Sequence, residues 1–159
     1  MTYGVSASVA HWHSMYLVIP RANEASHPEQ CAATGQFQFL TDHVKFITHQ
    51  SKQILQIDVS NCSAAEVERI FRAVPEFVTA RPRGSVLILS DFRGTSIGQE
   101  AIRIMKETAV FDKAYVKKSA WTGEEDFCRG LSASLGEFSR RNFFVFETRE
   151  KALAWLAKD

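Results

Sequence analysis

The sequence predicts a single α/β domain with a mixed, mostly parallel five-stranded sheet whose helices pack mainly on one face. Its 159 residues suit one domain, and a composition of 45% hydrophobic and 23% charged residues is typical of a globular protein. After an opening hairpin, segments with strand and helix periodicity alternate along the chain. Alternation requires crossover connections, which produce parallel strands beside one antiparallel edge strand. The predicted element order is β-β-α-β-α-β-α-β-α.

The first three elements are a hairpin and a capped helix. Polar and apolar residues alternate over 44–48, and a second strand is predicted over 54–59 after a short turn. Ser63 and Glu66 have the spacing of a capping box, in which each side chain accepts a hydrogen bond from the other residue's backbone N–H. Apolar residues then recur at helical spacing, but Pro75 predicts that this helix kinks or ends one residue earlier.

The remaining elements alternate between strand and helix. The continuous apolar run from 86 to 89 is typical of a strand that is buried on both faces. Three acidic residues at 124–126 favour a helix start, where the helix dipole stabilises negative charge. Thr148 has the position of an N-cap for the last helix. The predicted bounds are strand 85–89, helix 98–110, strand 116–122, a helix from 124, strand 143–146 and a helix from 148.

The first 36 residues differ from this pattern and predict a partly irregular N-terminal extension to a domain formed by residues 37–159. Up to Gly35 the only charged residues are Arg21, Glu24 and Glu29. Small and polar residues dominate this segment, and it sustains no helical or strand periodicity beyond one short apolar run.

Composition and charge exclude several classes of function. Nineteen Lys and Arg face eighteen Asp and Glu, and the resulting net charge of +1 argues against a nucleic-acid-binding protein. The longest apolar run near the N-terminus, 15–19, is too short to cross a bilayer. Cys31, Cys62 and Cys128 form neither a CxxC pair nor a disulfide framework, which predicts a cytoplasmic protein.

The sequence also lacks the motifs of common enzymes and cofactor sites. It contains no GxSxG elbow, Walker loop, GxGxxG fingerprint or HExxH pair. His11 and His13 have a spacing that places both on one face of a strand, but no third metal ligand is in reach. Cys128 is predicted in the first turn of a helix, where the dipole can lower a thiol pKa, although its neighbour Phe127 indicates a core position. We therefore expect no enzymatic activity, no metal and no cofactor.

Four segments of the second half carry a resemblance to a known family. They are Asp-Phe-Arg-Gly at 91–94 with Glu-Ala-Ile at 100–102 and Lys106, Tyr-Val-Lys-Lys-Ser-Ala at 115–120, Phe-Ser-Arg-Arg-Asn-Phe at 138–143 with Phe146, and Glu150 with Ala152 and Trp-Leu at 155–156. In order and spacing they resemble the SpoIIAA-like family of the STAS superfamily, over residues 83–156. The resemblance implies a STAS-like mixed sheet, similar in fold to the CRAL-TRIO lipid-transfer domains, and a non-enzymatic regulatory or binding module.

The first candidate site is the loop 91–99, which joins a buried strand to a helix start. Ligands of open α/β sheets usually bind in such a crevice, and a helix N-terminus favours an anion. The candidate residues are Asp91, Thr95, Ser96 and Gly98, which supply a carboxylate, two hydroxyls and a close backbone approach. The main hypothesis is that this loop docks a protein partner or a small ligand.

Two observations limit what the hydroxyls of this loop imply. Thr95 or Ser96 could be an ordinary helix cap. In STAS regulators a phosphorylatable Ser that follows an Asp stands at the start of this helix. Here the place of that Asp is taken by Gly94 or Thr95, which argues against control by a kinase.

The second candidate is a set of basic residues that could bind a phosphate or an anionic lipid headgroup. Two lysines open one predicted strand and two arginines precede its neighbour, and both side-chain types bind phosphate. The acidic residues 124–126 lie close in sequence, so a solvated surface of mixed charge is the alternative. The set is Lys117, Lys118, Arg140 and Arg141, with Lys113 nearby.

Phe92, Met105, Phe127 and Leu131 form the third candidate, an apolar ligand pocket. Aromatic and Met side chains suit an adaptable lipophilic site, although they suit a plain core equally well. Twelve Phe in this chain favour the pocket slightly. It supports the alternative function, a carrier or sensor of a lipid-like molecule. The predicted hairpin also exposes an edge strand, through which a homodimer could form.

Overall fold

The computed structural model describes the backbone of residues 28–159 and the side chains from residue 34 onward. Five strands in this part form one sheet in the order β1-β2-β3-β4-β5. β1 pairs antiparallel with β2, and all other pairs are parallel, so the predicted mixed five-stranded sheet is confirmed. The strands are β1 Val44–His49, β2 Lys52–Asp58, β3 Val86–Asp91, β4 Val116–Thr122 and β5 Phe144–Phe146.

Helices cover both faces of the sheet unequally. Within the described residues they are α1 Pro28–His43, α2 Ala64–Thr79, α3 Gln99–Phe111, α4 Glu125–Ser139 and α5 Arg149–Ala157. α2, α3 and α4 each connect two strands that are neighbours in the sheet. Because such crossovers are right-handed, a sheet with strands in chain order places all three helices on the same face. α5 packs on the opposite face, and the prediction that helices lie mainly on one face is confirmed.

Two apolar cores follow from this arrangement. The larger core joins α2, α3 and α4 to one face of the sheet, and the smaller core joins α5 to the other face. β3 contributes to both, since all six of its residues are buried. Leu87 and Leu89 of this strand pack with Ala152 and Leu156 of α5, whereas Ile88 belongs to the larger core.

α1 is an additional helix that precedes the predicted element order. Its sequence has no apolar stripe, so helical periodicity gave no signal for it. Phe39 anchors the helix: the Arg69 guanidinium of α2 lies 3.8 Å from its ring centroid, and the His43 ring lies 4.6 Å away. The boundary predicted between residues 36 and 37 falls inside α1, and the division into an extension and a domain stays a prediction.

The sequence predicts that α2 either kinks or ends near Pro75. The second of these alternatives is wrong, because the helix continues through Pro75 to Thr79. Pro75 has no N–H to donate to the carbonyl of Phe71, four residues earlier in the helix. Thr108 of α3 donates its hydroxyl to that carbonyl at 3.3 Å instead. A tertiary contact thus satisfies the acceptor that the proline leaves unpaired.

The predicted caps are present. Glu66 donates its N–H to Ser63 Oγ at 3.4 Å, and Ser63 donates its N–H to the Glu66 carboxylate at 2.8 Å, so the capping box of α2 is confirmed. Thr148 accepts a bond from the backbone of Lys151 at 3.3 Å and caps α5. These local bonds explain why both helix starts were predictable from sequence.

The surface of the fold bears on two further predictions. Among the described strands, β1 lies at an edge of the sheet with no partner on one side, and a homodimer formed through it stays a prediction. No helix within residues 28–159 has the length and apolar character needed to cross a bilayer.

Gly123→Ala should cost more stability than Gly84→Ala, although both glycines have positive φ, 153° and 65°. A Cβ at Gly84 would meet open space, so only the backbone penalty of about 1 kcal/mol is expected. A Cβ at Gly123 would lie 2.9 Å from Cys128 Sγ and 3.2 Å from Phe92 Cβ. We expect a loss of about 3 kcal/mol or more there. Urea denaturation measures both variants, and equal losses would contradict the steric account.

Candidate functional site

The carboxyl ends of β2 and β3 lead into two loops that are hydrogen-bonded to each other. We call these loops, residues 59–63 and 92–98, the paired-loop platform. The N–H of Asn61 donates to the carbonyl of Arg93 at 2.8 Å. Further backbone bonds run from Val59 N–H to the Asp91 carbonyl and from Ser96 N–H to the Cys62 carbonyl, each at 3.0 Å.

Asp91 ends β3 as a buried carboxylate and is bound by Arg93. The carboxylate is 2% exposed and accepts bonds from the Arg93 backbone N–H at 3.1 Å, from Nε at 3.0 Å and from Nη2 at 2.5 Å. The Arg93 side chain itself is 67% exposed, and its bonds to Asp91 raise the pKa of the guanidinium. The predicted site residue Asp91 is therefore occupied by an internal partner, and Arg93 presents its outer edge to solvent.

The other predicted residues of this loop have distinct roles. Thr95 is half-buried and donates its hydroxyl to the carbonyl of Val59 at 2.6 Å, whereas Ser96 is exposed. Gly98 is the N-cap of α3 and offers no side-chain bond, so neither hydroxyl caps the helix. Of the two hydroxyls in this loop, only that of Ser96 is open to a partner.

Gly94 is required by the contact between the two loops. Its φ is +63°, a conformation that glycine adopts at low cost. A Cβ at this position would lie 2.4 Å from the Asn61 Oδ1 atom. The close approach at Gly94 is therefore made by the Asn61 side chain of the other loop.

The predicted basic residues lie at the opposite end of the sheet. Lys117, Lys118 and Arg141 line one pocket of about 280 Å³, together with Lys113. Arg140 is instead the left-handed C-cap of α4, with φ 55°, and lines a neighbouring open groove of about 720 Å³. Three of the four predicted residues are thus brought together.

A register shift in β4 explains how two consecutive lysines reach the same pocket. Val86 pairs with Val116 and Leu87 pairs with Lys118, so Lys117 is an extra residue in the ladder. Such a bulge breaks the alternation of side chains along a strand. Strand periodicity alone would place the two lysines on opposite faces, and the sequence carries no signal for the bulge.

The residues of the predicted apolar pocket are packed in the larger core. Phe92 and Met105 are each 1% exposed and Leu131 is 7% exposed, while Phe127 is half-buried with its ring centroid 6.4 Å from that of Phe92. Met105 lines a cavity of about 30 Å³, roughly the volume of one water molecule. This cavity is too small for a lipid chain.

Asp112 is a buried acid that sequence reasoning missed, and it lies near the half-buried Arg141. Asp112 follows α3 and is 1% exposed, and its Oδ1 has no hydrogen-bond partner within the described residues. Burial raises the pKa of Asp112 to about 6, and the nearby Arg141 charge only partly opposes this. Burial lowers the pKa of Arg141 to about 10, with the Asp112 charge as the opposing influence. Arg141 donates to the Ala109 carbonyl at 3.2 Å and to Ser119 Oγ at 2.8 Å.

The described cysteines are poor nucleophiles. Burial raises the pKa of Cys128 to about 11, with the charges of Asp91 and Glu124 as further causes, so the dipole-lowered pKa considered from sequence is wrong. Burial also raises the pKa of Cys62, whose sulfur lies 3.9 Å from His43 Nδ1. That nitrogen lies 2.6 Å from the Asp58 carbonyl, so it carries the proton and presents no lone pair to the thiol.

Metal ligation was also considered from sequence. His11 and His13 lie outside the described residues. In the part of the chain that the structure describes, no group of three or more His, Cys, Asp or Glu side chains is placed to hold a metal ion.

Comparison with known proteins bears on the fold alone. No family model matches the sequence, and no curated protein matches it. A solved structure does match: an uncharacterised protein of the DUF3478 family with a SpoIIAA-like fold, from Shewanella loihica PV-4, at a TM-score of 0.59 and 16% identity. The match covers 72% of this chain and 92% of that one. The fold is SpoIIAA-like. The resemblance inferred from the four sequence segments is thereby confirmed as a likeness of fold.

Stability should fall as pH rises through about 6 because of Asp112. Its folded pKa is raised from 3.8 to about 6, so the folded protein holds this proton more tightly than the unfolded chain. The resulting stabilisation is fully present below the unfolded pKa and is lost above the folded pKa. Relative to Asp112→Asn, the wild type should lose about 2–3 kcal/mol of unfolding free energy between pH 4 and pH 8. Urea titrations at both pH values measure this, and parallel pH profiles would contradict it.

Arg93→Ala should destabilise the protein because it leaves the Asp91 carboxylate buried without its partner. Removing one partner of a fully buried pair costs roughly 3–5 kcal/mol, and we expect about 2 kcal/mol because Arg93 is largely exposed. In an Asp91→Asn background the same substitution should cost much less. Thermal and urea unfolding of the wild type, the two single variants and the double variant form the double-mutant cycle. If Arg93→Ala lowers the unfolding free energy equally in both backgrounds, the ion pair is not the cause.

Proposed function

We propose that this protein is a non-enzymatic binding module that docks a protein partner on the paired-loop platform. The observation that supports the proposal is the set of bonds between loops 59–63 and 92–98, which fix an exposed polar surface in one conformation. Preorganised surfaces bind with a smaller loss of conformational entropy than mobile loops do. The platform also lies at the carboxyl ends of parallel strands, where open α/β folds have their usual binding crevice.

The chemistry of the platform suits recognition through hydrogen bonds. Asn61, Arg93 and Ser96 are exposed, and among the described residues Arg93 Nη1 has no internal acceptor. The Asp91 carboxylate orients the guanidinium and limits its rotamer entropy, as in other forked arginine–carboxylate pairs. A partner that offers a carbonyl or carboxylate oxygen to this arginine would form a charge-assisted hydrogen bond.

The environment of the described thiols supports the non-enzymatic part of the proposal. Nucleophilic cysteines require a thiolate, and burial raises the pKa of Cys62 and of Cys128. The histidine nearest to Cys62 donates its proton to a backbone carbonyl and is not available as the base for that thiol. The alternative of a lipid carrier has less support, because Met105 lines a cavity of only about 30 Å³.

Ser96→Arg should abolish partner capture without unfolding the domain. The exposed Ser96 side chain lies within the loop 92–98, and a long cationic side chain there would block a docked surface. Immobilised wild-type protein and the variant are incubated with extract of the source cells, and captured proteins are quantified by mass spectrometry. We expect a partner that the wild type retains and the variant loses about tenfold or more.

Ser85→Arg is the matched control because it makes the same Ser→Arg change at an exposed position just before the opposite end of β3. It should capture the same partner in the same amount as the wild type. Identical capture by Ser96→Arg and wild type would count against the platform as the docking site. Circular dichroism of each variant confirms that the fold is retained.

A further inference from the structure

The pocket at the amino ends of β4 and β5 has the composition of an anion site. Its volume of about 280 Å³ lies near the lower limit of small-molecule pockets, about 300–1,000 Å³. Of the nine described residues that line it, four are cationic and none is acidic. The cationic residues are Lys113, Lys117, Lys118 and Arg141.

The positive charge of this pocket is not neutralised by ion pairs. Within residues 34–159, none of the four cations forms an ion pair, whereas Arg72, Arg93, Arg103, Arg129, Lys52 and Lys151 each do. The carboxylate of Asp159 is influenced by Lys117 and Lys118, but it is bound to Lys52 at 2.6 Å. A multiply charged anion would therefore find cations without carboxylate partners.

Lys118 and Arg141 are the fixed members of the pocket. Lys118 Nζ donates to the backbone carbonyls of Trp155, at 3.3 Å, and of Lys158, which position the ammonium without cancelling its charge. Arg141 is held by the Ala109 carbonyl and by Ser119 Oγ, and three of its five N–H donors have no acceptor among the described residues. The buried Asp112 lines the small interior cavity together with Arg141 and is not among the described residues that line the basic pocket.

Aromatic rings supply an apolar wall beside the cations. Phe144 and Trp155 line the pocket with their ring centroids 4.7 Å apart, and Phe144 is 46% exposed. Lys118 Nζ lies 4.9 Å from the Trp155 ring centroid. A ligand that combines an anionic group with a flat apolar group would satisfy both parts of the pocket.

We propose that this pocket binds a phosphate monoester that carries a small apolar or aromatic group. A phosphate dianion matches several converging cations better than a monoanionic carboxylate does, and both Lys and Arg are phosphate ligands. The phosphate lies among Lys113, Lys117, Lys118 and Arg141, and the apolar group packs on Trp155 and Phe144. This site is at the opposite end of the sheet from the paired-loop platform.

Calorimetric titration with phenyl phosphate, inorganic phosphate and benzoate tests the proposal. Phenyl phosphate should bind at least about tenfold more tightly than either of the others, because only it engages the cations as a dianion and the aromatic wall together. Binding of all three probes with equal affinity would overturn the proposal.

Two charge-reversal variants test the position of the site. Lys117→Glu should weaken phenyl phosphate binding by about tenfold or more, because Lys117 lines the pocket, is exposed and forms no ion pair within residues 34–159. Lys45→Glu makes the same change in net charge on the exposed edge strand β1 and should leave binding within about twofold. Equal weakening by both variants would show only a general charge effect and would overturn the site.

Vesicles separate the two sources of a phosphate monoester. Sedimentation of the protein with phosphatidylcholine vesicles that contain phosphatidic acid, lost in Lys117→Glu, would support the proposal with a lipid headgroup as ligand. Binding of phenyl phosphate without sedimentation would support it with a soluble ligand. Failure of the wild type to bind phenyl phosphate and to sediment with these vesicles would overturn it.

Discussion

Burial of β3 on both faces is the constraint on which the rest of the structure depends. α2, α3 and α4 cover one face of the sheet and α5 covers the other, so none of the residues Val86–Asp91 reaches solvent. The strand nevertheless ends in a carboxylate, and a buried charge without a partner is costly. Arg93 meets this requirement two residues later by folding back on Asp91. The same turn of the chain places loop 92–98 against loop 59–63. The burial of β3 thus leads to a rigid polar surface at the carboxyl end of this strand.

The two ends of the sheet therefore differ in their chemistry. At the carboxyl ends, Asp91 and Arg93 neutralise each other, and the exposed groups are mainly neutral hydrogen-bonding groups on a fixed backbone. At the amino ends of β4 and β5, Lys118 and Arg141 are positioned by carbonyls and a hydroxyl, and their charge is retained. The first arrangement suits a protein surface, which is recognised by shape and hydrogen bonds. The second suits a small anion, which is recognised by charge.

Asp112 and Arg141 show how the interior contributes to the second end. For the charged form of each residue, the cost of burial exceeds the stabilisation by the other charge. The pKa of Asp112 is therefore raised and that of Arg141 is lowered. Such a pair contributes little net stability, and often less than an apolar pair of similar size would. The contribution of the pair to this end of the sheet comes from Arg141, which lines both the interior cavity and the basic pocket.

The sequence by itself determined the strands, the crossover helices and the topology, because periodicity, the Ser63–Glu66 box and the Thr148 cap are properties of neighbouring residues. It also placed three of the basic side chains at one edge, since parallel strands begin on the same side of a sheet. α1 was not predicted because its sequence has no apolar stripe. The ring of Phe39 anchors the helix instead. Only the tertiary structure decided the passage of α2 through Pro75, the bulge at Lys117 and the burial of Asp112. Each of these depends on a residue distant in the chain, and a contact of that kind leaves no local pattern in the sequence.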